Sequence, residues 1–206
     1  MVENRLKFSF NNLGKSLKEI SKIRSTIAYT LAAGFISSSF VGFLNSSQQI
    51  FQIQFGLGEK FPLYFGIIAV SLGFASFING KLVIHFGMQK MVKIAGLSIV
   101  IISTIFYGLM HSFLADPQLL FFMIYLVSTV FFVGILFGNL NAMAMEPLGH
   151  MAGIGAAIVG SVSTFISVPF GTYIGMQYNG TVSPLVFGFL LFGGLSVISI
   201  FLAKER

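Results

Sequence analysis

Six long apolar stretches dominate the chain, at residues 26–48, 61–84, 91–111, 118–141, 151–175 and 182–203. Each is long enough to cross about 30 Å of hydrocarbon as a helix. None shows the strict apolar–polar alternation that a membrane-spanning barrel requires. The breaks between them carry turn formers: Gly56, Gly58 and Pro62; Gly87; Asp116-Pro117; Pro147 and Gly149; Asn179-Gly180. The pattern predicts an all-α membrane protein with six transmembrane helices. Residues 1–25 stand apart as a polar, basic connector, leaving residues 26–206 for the bundle. In the connector Leu6, Phe10, Leu13, Leu17 and Ile20 follow steps of four, three, four and three. That amphipathic helical spacing suits a membrane interface. A cytoplasmic linker interrupted by Gly14 fits the same residues.

Within the second stretch Gly66, Ala69, Gly73, Ser76 and Gly80 recur at steps of three and four. They fall inside roughly an 80° arc of one helix. The fifth stretch repeats the device, with Ala152, Ala156, Gly160 and Thr164 every four residues. A second series there runs Ser163, Ser167, Gly171 and Gly175, with Pro169 expected to bend the helix. Small faces let helices approach closely in lipid, where no hydrophobic force draws them together. We therefore take Gly66, Gly73, Ser76, Ala156 and Gly160 as seam candidates.

The first and fourth stretches carry polar arcs instead. Thr26, Thr30, Ser37, Asn45 and Gln48 share roughly a 100° arc of the first, and Tyr125, Ser128, Thr129, Phe132 and Asn139 a similar arc of the fourth. Thr30, Ser37, Asn45, Gln48, Tyr125, Ser128, Thr129 and Asn139 are the candidates for lining a substrate cavity; hydrogen bonding between helices is the competing use of the same groups. Polar-faced, small-faced, plain, and then the same again is the order that an inverted 3+3 repeat predicts.

Composition and charge sharpen this picture. Apolar residues make up 55% of the chain and charged residues 9%, against about 25% charged in soluble domains. The net charge of +6 does not indicate nucleic acid, because the basic residues cluster at the ends of apolar runs. Arg5, Lys7, Lys15, Lys18, Lys22 and Arg24 precede the first span; Lys81, Lys90 and Lys93 surround the second link; Lys204 and Arg206 end the chain. In an even-span topology these eleven share one side, and Lys60 alone lies opposite. Both termini are therefore expected in the cytoplasm.

Zero cysteines exclude thiolate chemistry and cysteine metal sites. The residues offer no nucleophile–base set, metal cluster or phosphate loop, so neither an enzyme nor a cofactor is expected. His85, His111 and His150 stand at span ends as interface-exposed rings. Gly153-Ile154-Gly155 with Gly160 imitates part of a dinucleotide fingerprint, but it opens an apolar span with no preceding strand. Glu146 sits beside Pro147 in a link, where capping or a bond across the seam is expected ahead of proton coupling. Glu3, Glu19, Glu59, Asp116 and Glu205 also fall in links or tails. No carboxylate lies within a span, although such groups usually mark proton paths.

Three stretches add a family resemblance. Gly80-Lys81-Leu82-Val83-Ile84-His85-Phe86-Gly87 resembles the signature loop of the major facilitator superfamily, with Ile84 and His85 where that loop has Asp and Arg. Gly80, Leu82, Gly87 and Lys90 are its candidate positions here. Ser46-Ser47-Gln48-Gln49-Ile50-Phe51, with Phe55-Gly56-Leu57 and Phe61-Pro62-Leu63-Tyr64-Phe65, resembles the start of the C-terminal half of Bcr/CflA-type drug-efflux transporters. Residues 138–153, from Gly138-Asn139-Leu140-Asn141 through Glu146-Pro147-Leu148-Gly149-His150, resemble that group's link between its tenth and eleventh helices. The resemblance implies one half of a twelve-helix fold, with residues 1–25 as the connector between halves. It also implies a cavity lined by the first and fourth helices, a seam on the second and fifth, and lipid against the third and sixth. Proton-driven export of small apolar or amphipathic compounds from a bacterial inner membrane follows from it, with an N-terminal half or a second copy as partner. A self-associating half-size transporter and a non-transporting remnant or scaffold are the alternatives.

Overall fold

The computed structural model describes residues 10–112 and 117–203. Glu3, Arg5, Leu6, Lys7, Asp116, Lys204, Glu205 and Arg206, which the sequence reading used, lie outside the described residues. Among the described residues seven α-helices follow one another: α1 (Phe10–Ile20), α2 (Arg24–Gln48), α3 (Phe61–Phe86), α4 (Met88–Ser112), α5 (Leu119–Met145), α6 (Ala152–Met176) and α7 (Ser183–Leu202). Among the described residues there is no strand. α2 to α7 correspond to the six apolar stretches. The turns between them supply the expected breakers, with Pro62 and Pro184 in the first turns of α3 and α7, where a missing N–H costs nothing.

The packing has the logic of a repeat. α2 packs most extensively on α6 and α7, and α5 on α3 and α4. α2 also meets α5, and α4 meets α7, whereas α3–α4 and α6–α7 barely touch. Exchanging the first three spans with the last three reproduces this list, which is the 3+3 arrangement. The first helix of each half thus lies between the second and third helices of the other. Buried Ile36, Phe43, Leu126, Leu136 and Phe189 fill the centre.

Contacts at the two ends show that neighbouring spans alternate in direction. At one end the Lys93 ammonium lies 5.7 Å from the Phe201 ring, joining the start of α4 to the end of α7. His150, in the α5–α6 link, meets Glu19 of α1 at 2.9 Å there. At the other end Phe51 packs against Phe122, Tyr107 against Phe187, and the Tyr178 hydroxyl donates to the Gln49 carbonyl at 3.3 Å.

Two expectations need correction. The stretch that resembles the signature loop is helical as far as Phe86, so Gly80 and Leu82 lie inside α3. The link is Gly87 alone, whose φ of 75° is a conformation that favours glycine. The chain turns there because Gly87 leaves the right-handed region, while Val83 still accepts its N–H at 2.9 Å. Nor does Gly14 interrupt the connector: α1 runs through it. Its buried Ile20 and exposed Leu17 line a small cavity together with Ile158 and Val162 of α6 and Ile27 of α2.

Candidate functional site

Two polar-faced helices and two small-faced helices carry the candidate residues, and the structure divides these between interior and surface. α2 and α6 come together through missing side chains. A Cβ at Gly171 would stand 2.5 Å from the Val41 Cβ and 2.8 Å from the Ser38 carbonyl oxygen, and one at Gly175 would stand 2.7 Å from the Asn45 Cβ. Gly134 plays the same part for α5 on α3, where a Cβ would meet the Leu72 carbonyl oxygen at 2.8 Å. Serine hydroxyls tie these helices through backbone carbonyls. Ser39 donates to Gly188 at 3.1 Å, Ser196 to Ala32 at 2.9 Å, and Ser71 to Val127 at 2.8 Å. The sequence reading singled out none of these three serines.

The polar arcs do not form one continuous surface. On α2, Thr30 is buried and its hydroxyl donates to the Thr26 carbonyl of its own helix at 2.6 Å. Ser37 is half-buried, and Asn45 and Gln48 are exposed. Gln48 donates to the Gln52 side chain at 3.1 Å, at the point where α2 widens into a π-helical turn over Gln49–Gln54. On α5, Tyr125, Thr129 and Asn139 are buried. The Tyr125 hydroxyl lies 3.2 Å from that of Ser103 on α4, and its ring stacks on Phe106 at 4.5 Å. Asn139 forms a reciprocal amide pair with Asn79 of α3, donating at 2.7 Å and accepting at 3.3 Å. Tyr125 and Asn139 therefore join helices within the bundle, because α4 and α3 flank the parts of α5 that carry them, whereas Thr129 is buried with no bond to another helix. Ser128 is half-buried between two shallow cavities. Phe131 and Phe132 border one of those cavities, and Phe137 packs edge-on against Phe40 of α2 at 5.5 Å.

The seam candidates all reach the surface. Gly73, Ser76, Ala156 and Gly160 are exposed and Gly66 is half-buried; a Cβ at any of these three glycines would meet nothing within 4 Å. Around them stand exposed Val70, Phe74 and Phe77 on α3 and Phe165 and Val168 on α6. Of the signature positions, Lys90 lies 5.2 Å above the Phe86 ring, across Gly87, and Lys81 lies 4.9 Å above Phe77. Glu146 opens a 3₁₀ turn, Glu146–Met151, at the surface. Among the described residues no carboxylate lies in a spanning helix, and none of the His, Asp and Glu side chains gather to hold a metal. What the arrangement offers is neutral hydrogen-bonding groups and aromatic rings, which suit recognition rather than bond-breaking.

Over 202 residues the chain is 27% identical to the Bicyclomycin resistance protein homolog of Haemophilus influenzae, an overlap of 96% of this chain and 48% of that protein. It is 24% identical over 212 residues to the uncharacterized MFS-type transporter YdgK of Bacillus subtilis, which covers 100% of this chain and 50% of that protein. The chain resembles major facilitator transporters throughout. It spans about half the length of these relatives. The resemblance read from the sequence is thereby borne out at half length, and the six apolar helices make the chain an integral membrane protein. No family model matches the chain, and no solved structure does.

Proposed function

We propose that this chain is one half, by resemblance the C-terminal half, of a permease that exports small amphipathic molecules across a bacterial cytoplasmic membrane. The observation that carries the reading is the open face of α3 and α6. There Gly73 and Gly160 meet nothing, whereas the equally small Gly134 and Gly171 are covered. Close approach of another helix is the use that small faces have in lipid, and the relatives are about twice as long. A complementary six-helix half is the partner that fits, with Ser37, Asn45 and Gln48 contributing to a cavity between the halves. A second copy of this chain is the alternative partner for the same face.

Cysteine cross-linking tests the reading cleanly, because the chain has no cysteine of its own. Gly73→Cys and Gly160→Cys are introduced singly, and the chain is expressed with the complementary half of the Haemophilus relative carrying cysteines on its own small-faced helices. Cross-links between the halves are expected at both positions. Cross-links only between copies of this chain would favour the homodimer, and none in either experiment would reject a seam on this face.

A further inference from the structure

The two halves of the repeat differ in what lies between their second and third helices. On the outer face of α5, toward α3 and α4, two cavities of about 290 and 420 Å³ flank Ser128. Between α6 and α7 lies a groove of about 810 Å³, with Tyr107 of α4 contributing to its wall. That volume lies within the ~300–1,000 Å³ of small-molecule sites. The groove persists because α6 and α7 barely touch.

Its chemistry is graded along its length. Phe170, Phe187, Leu191 and Phe192 make an apolar trough, while Gln177, Asn179 and Ser183 supply polar atoms at the end away from the basic residues. That end is closed by the α6–α7 link. Asn179 Oδ1 accepts from the Thr181 N–H at 3.2 Å and from its hydroxyl at 2.7 Å, and Tyr178 anchors the link on Gln49. Among the described residues no charged side chain lines the groove. Its rim is exposed at Tyr173, Phe187 and Leu191. α7 continues outward from it as apolar surface at Ile198 and Phe201, and α4 is exposed elsewhere at Ile101 and Ile105, surfaces that only hydrocarbon would solvate. The groove thus opens sideways into the bilayer.

We propose that this groove binds an ester-linked phospholipid of the leaflet opposite the basic end, one acyl chain lying in the aromatic trough. The amide of Gln177 and the hydroxyls of Ser183, Tyr107 and Tyr173 donate to the glycerol ester oxygens, which only accept. With no cation among the described residues of the lining, the site reads the ester region and the tail, not the charge of the head group. The site is separate from the α3–α6 face and does not depend on the transport reading.

The test uses the full chain in nanodiscs containing phosphatidylethanolamine with a photoactivatable group midway along one acyl chain. Adducts are mapped by mass spectrometry. They are expected to concentrate on Tyr173, Phe187 and Leu191 relative to Ile101 and Ile105, and to remain when phosphatidylglycerol carries the probe. Leu191→Trp, at an exposed rim position, is expected to abolish the groove adducts while leaving those on α4, with the variant still monodisperse by size exclusion. Adducts spread evenly over the exposed apolar faces would overturn the proposal, as would groove adducts unaffected by Leu191→Trp. Displacement of the groove adducts by an amphipathic dye would assign the groove to a small solute and overturn the lipid assignment.

Discussion

Gly160 and Gly171 are eleven residues apart on α6 and roughly 20° apart in azimuth, yet their surroundings are opposite. The face of α6 that α2 covers shifts along the helix, so the same azimuth is open near one end and closed near the other. Replacing glycine by alanine inside a helix is worth about 1 kcal/mol, and overpacking a close contact costs about 1–3 kcal/mol. At Gly171 the added Cβ would meet a backbone oxygen and a Cβ, neither of which can swing away, so the clash wins. Gly171→Ala is expected to lower the thermal stability of the detergent-solubilised chain, and Gly160→Ala to leave it unchanged or raise it, as read by loss of the monodisperse peak on heating. Equal effects would mean that the two faces are not distinct. Asn139 teaches a related lesson. Its place on a polar arc was legible in the sequence, but its partner was not. A depth argument finds it: Asn79 lies seven residues before the end of α3 and Asn139 six before the end of α5. Asn139→Ala leaves Asn79 without its bond, at a cost of about 0.6–1.7 kcal/mol in a membrane bundle.

At the scale of elements, hydropathy located every spanning helix, because a span must satisfy its own backbone in hydrocarbon. Link lengths were harder to read. Gly80, Lys81 and His85 suggested a loop, but Lys81 stretches over Phe77 and His85 bonds back to the Lys81 carbonyl, so the helix carries its polar residues out of the apolar layer unbroken. The polar arcs misled for a different reason: an arc gives a direction on one helix and says nothing of which neighbour covers it. α3 and α4 cover the part of α5 that holds Tyr125 and Thr129. Orientation belongs to this scale as well. The alternating helices place Lys81, Lys90 and Lys93 at the end shared by the start of α2 and the end of α7. Basic ends face the cytoplasm, so reporter fusions after Leu202 are expected to report cytoplasm and fusions in the α4–α5 link periplasm. A periplasmic result after Leu202 would invalidate the six-span orientation.

For the whole molecule, the decisive feature is what the bundle leaves uncovered. Asn45 and Gln48 are exposed on α2, and the small faces of α3 and α6 are open. Polar groups facing hydrocarbon cost on the order of kcal/mol each, so this surface favours pairing. Pairing would supply a second cavity wall but not a titratable group, since among the described residues no carboxylate lies within a spanning helix, and proton coupling requires a group reachable from both sides. A complementary half with an intramembrane acid would provide what is missing; a second copy would not. Expressed alone in an efflux-deficient bacterium, the chain is therefore expected to leave dye accumulation unchanged, before and after collapse of the proton gradient. Co-expression with the complementary half is expected to lower accumulation in a gradient-dependent way. Gradient-dependent export by this chain alone would overturn the two-half reading, because the coupling would then have to run through groups already present in these six helices.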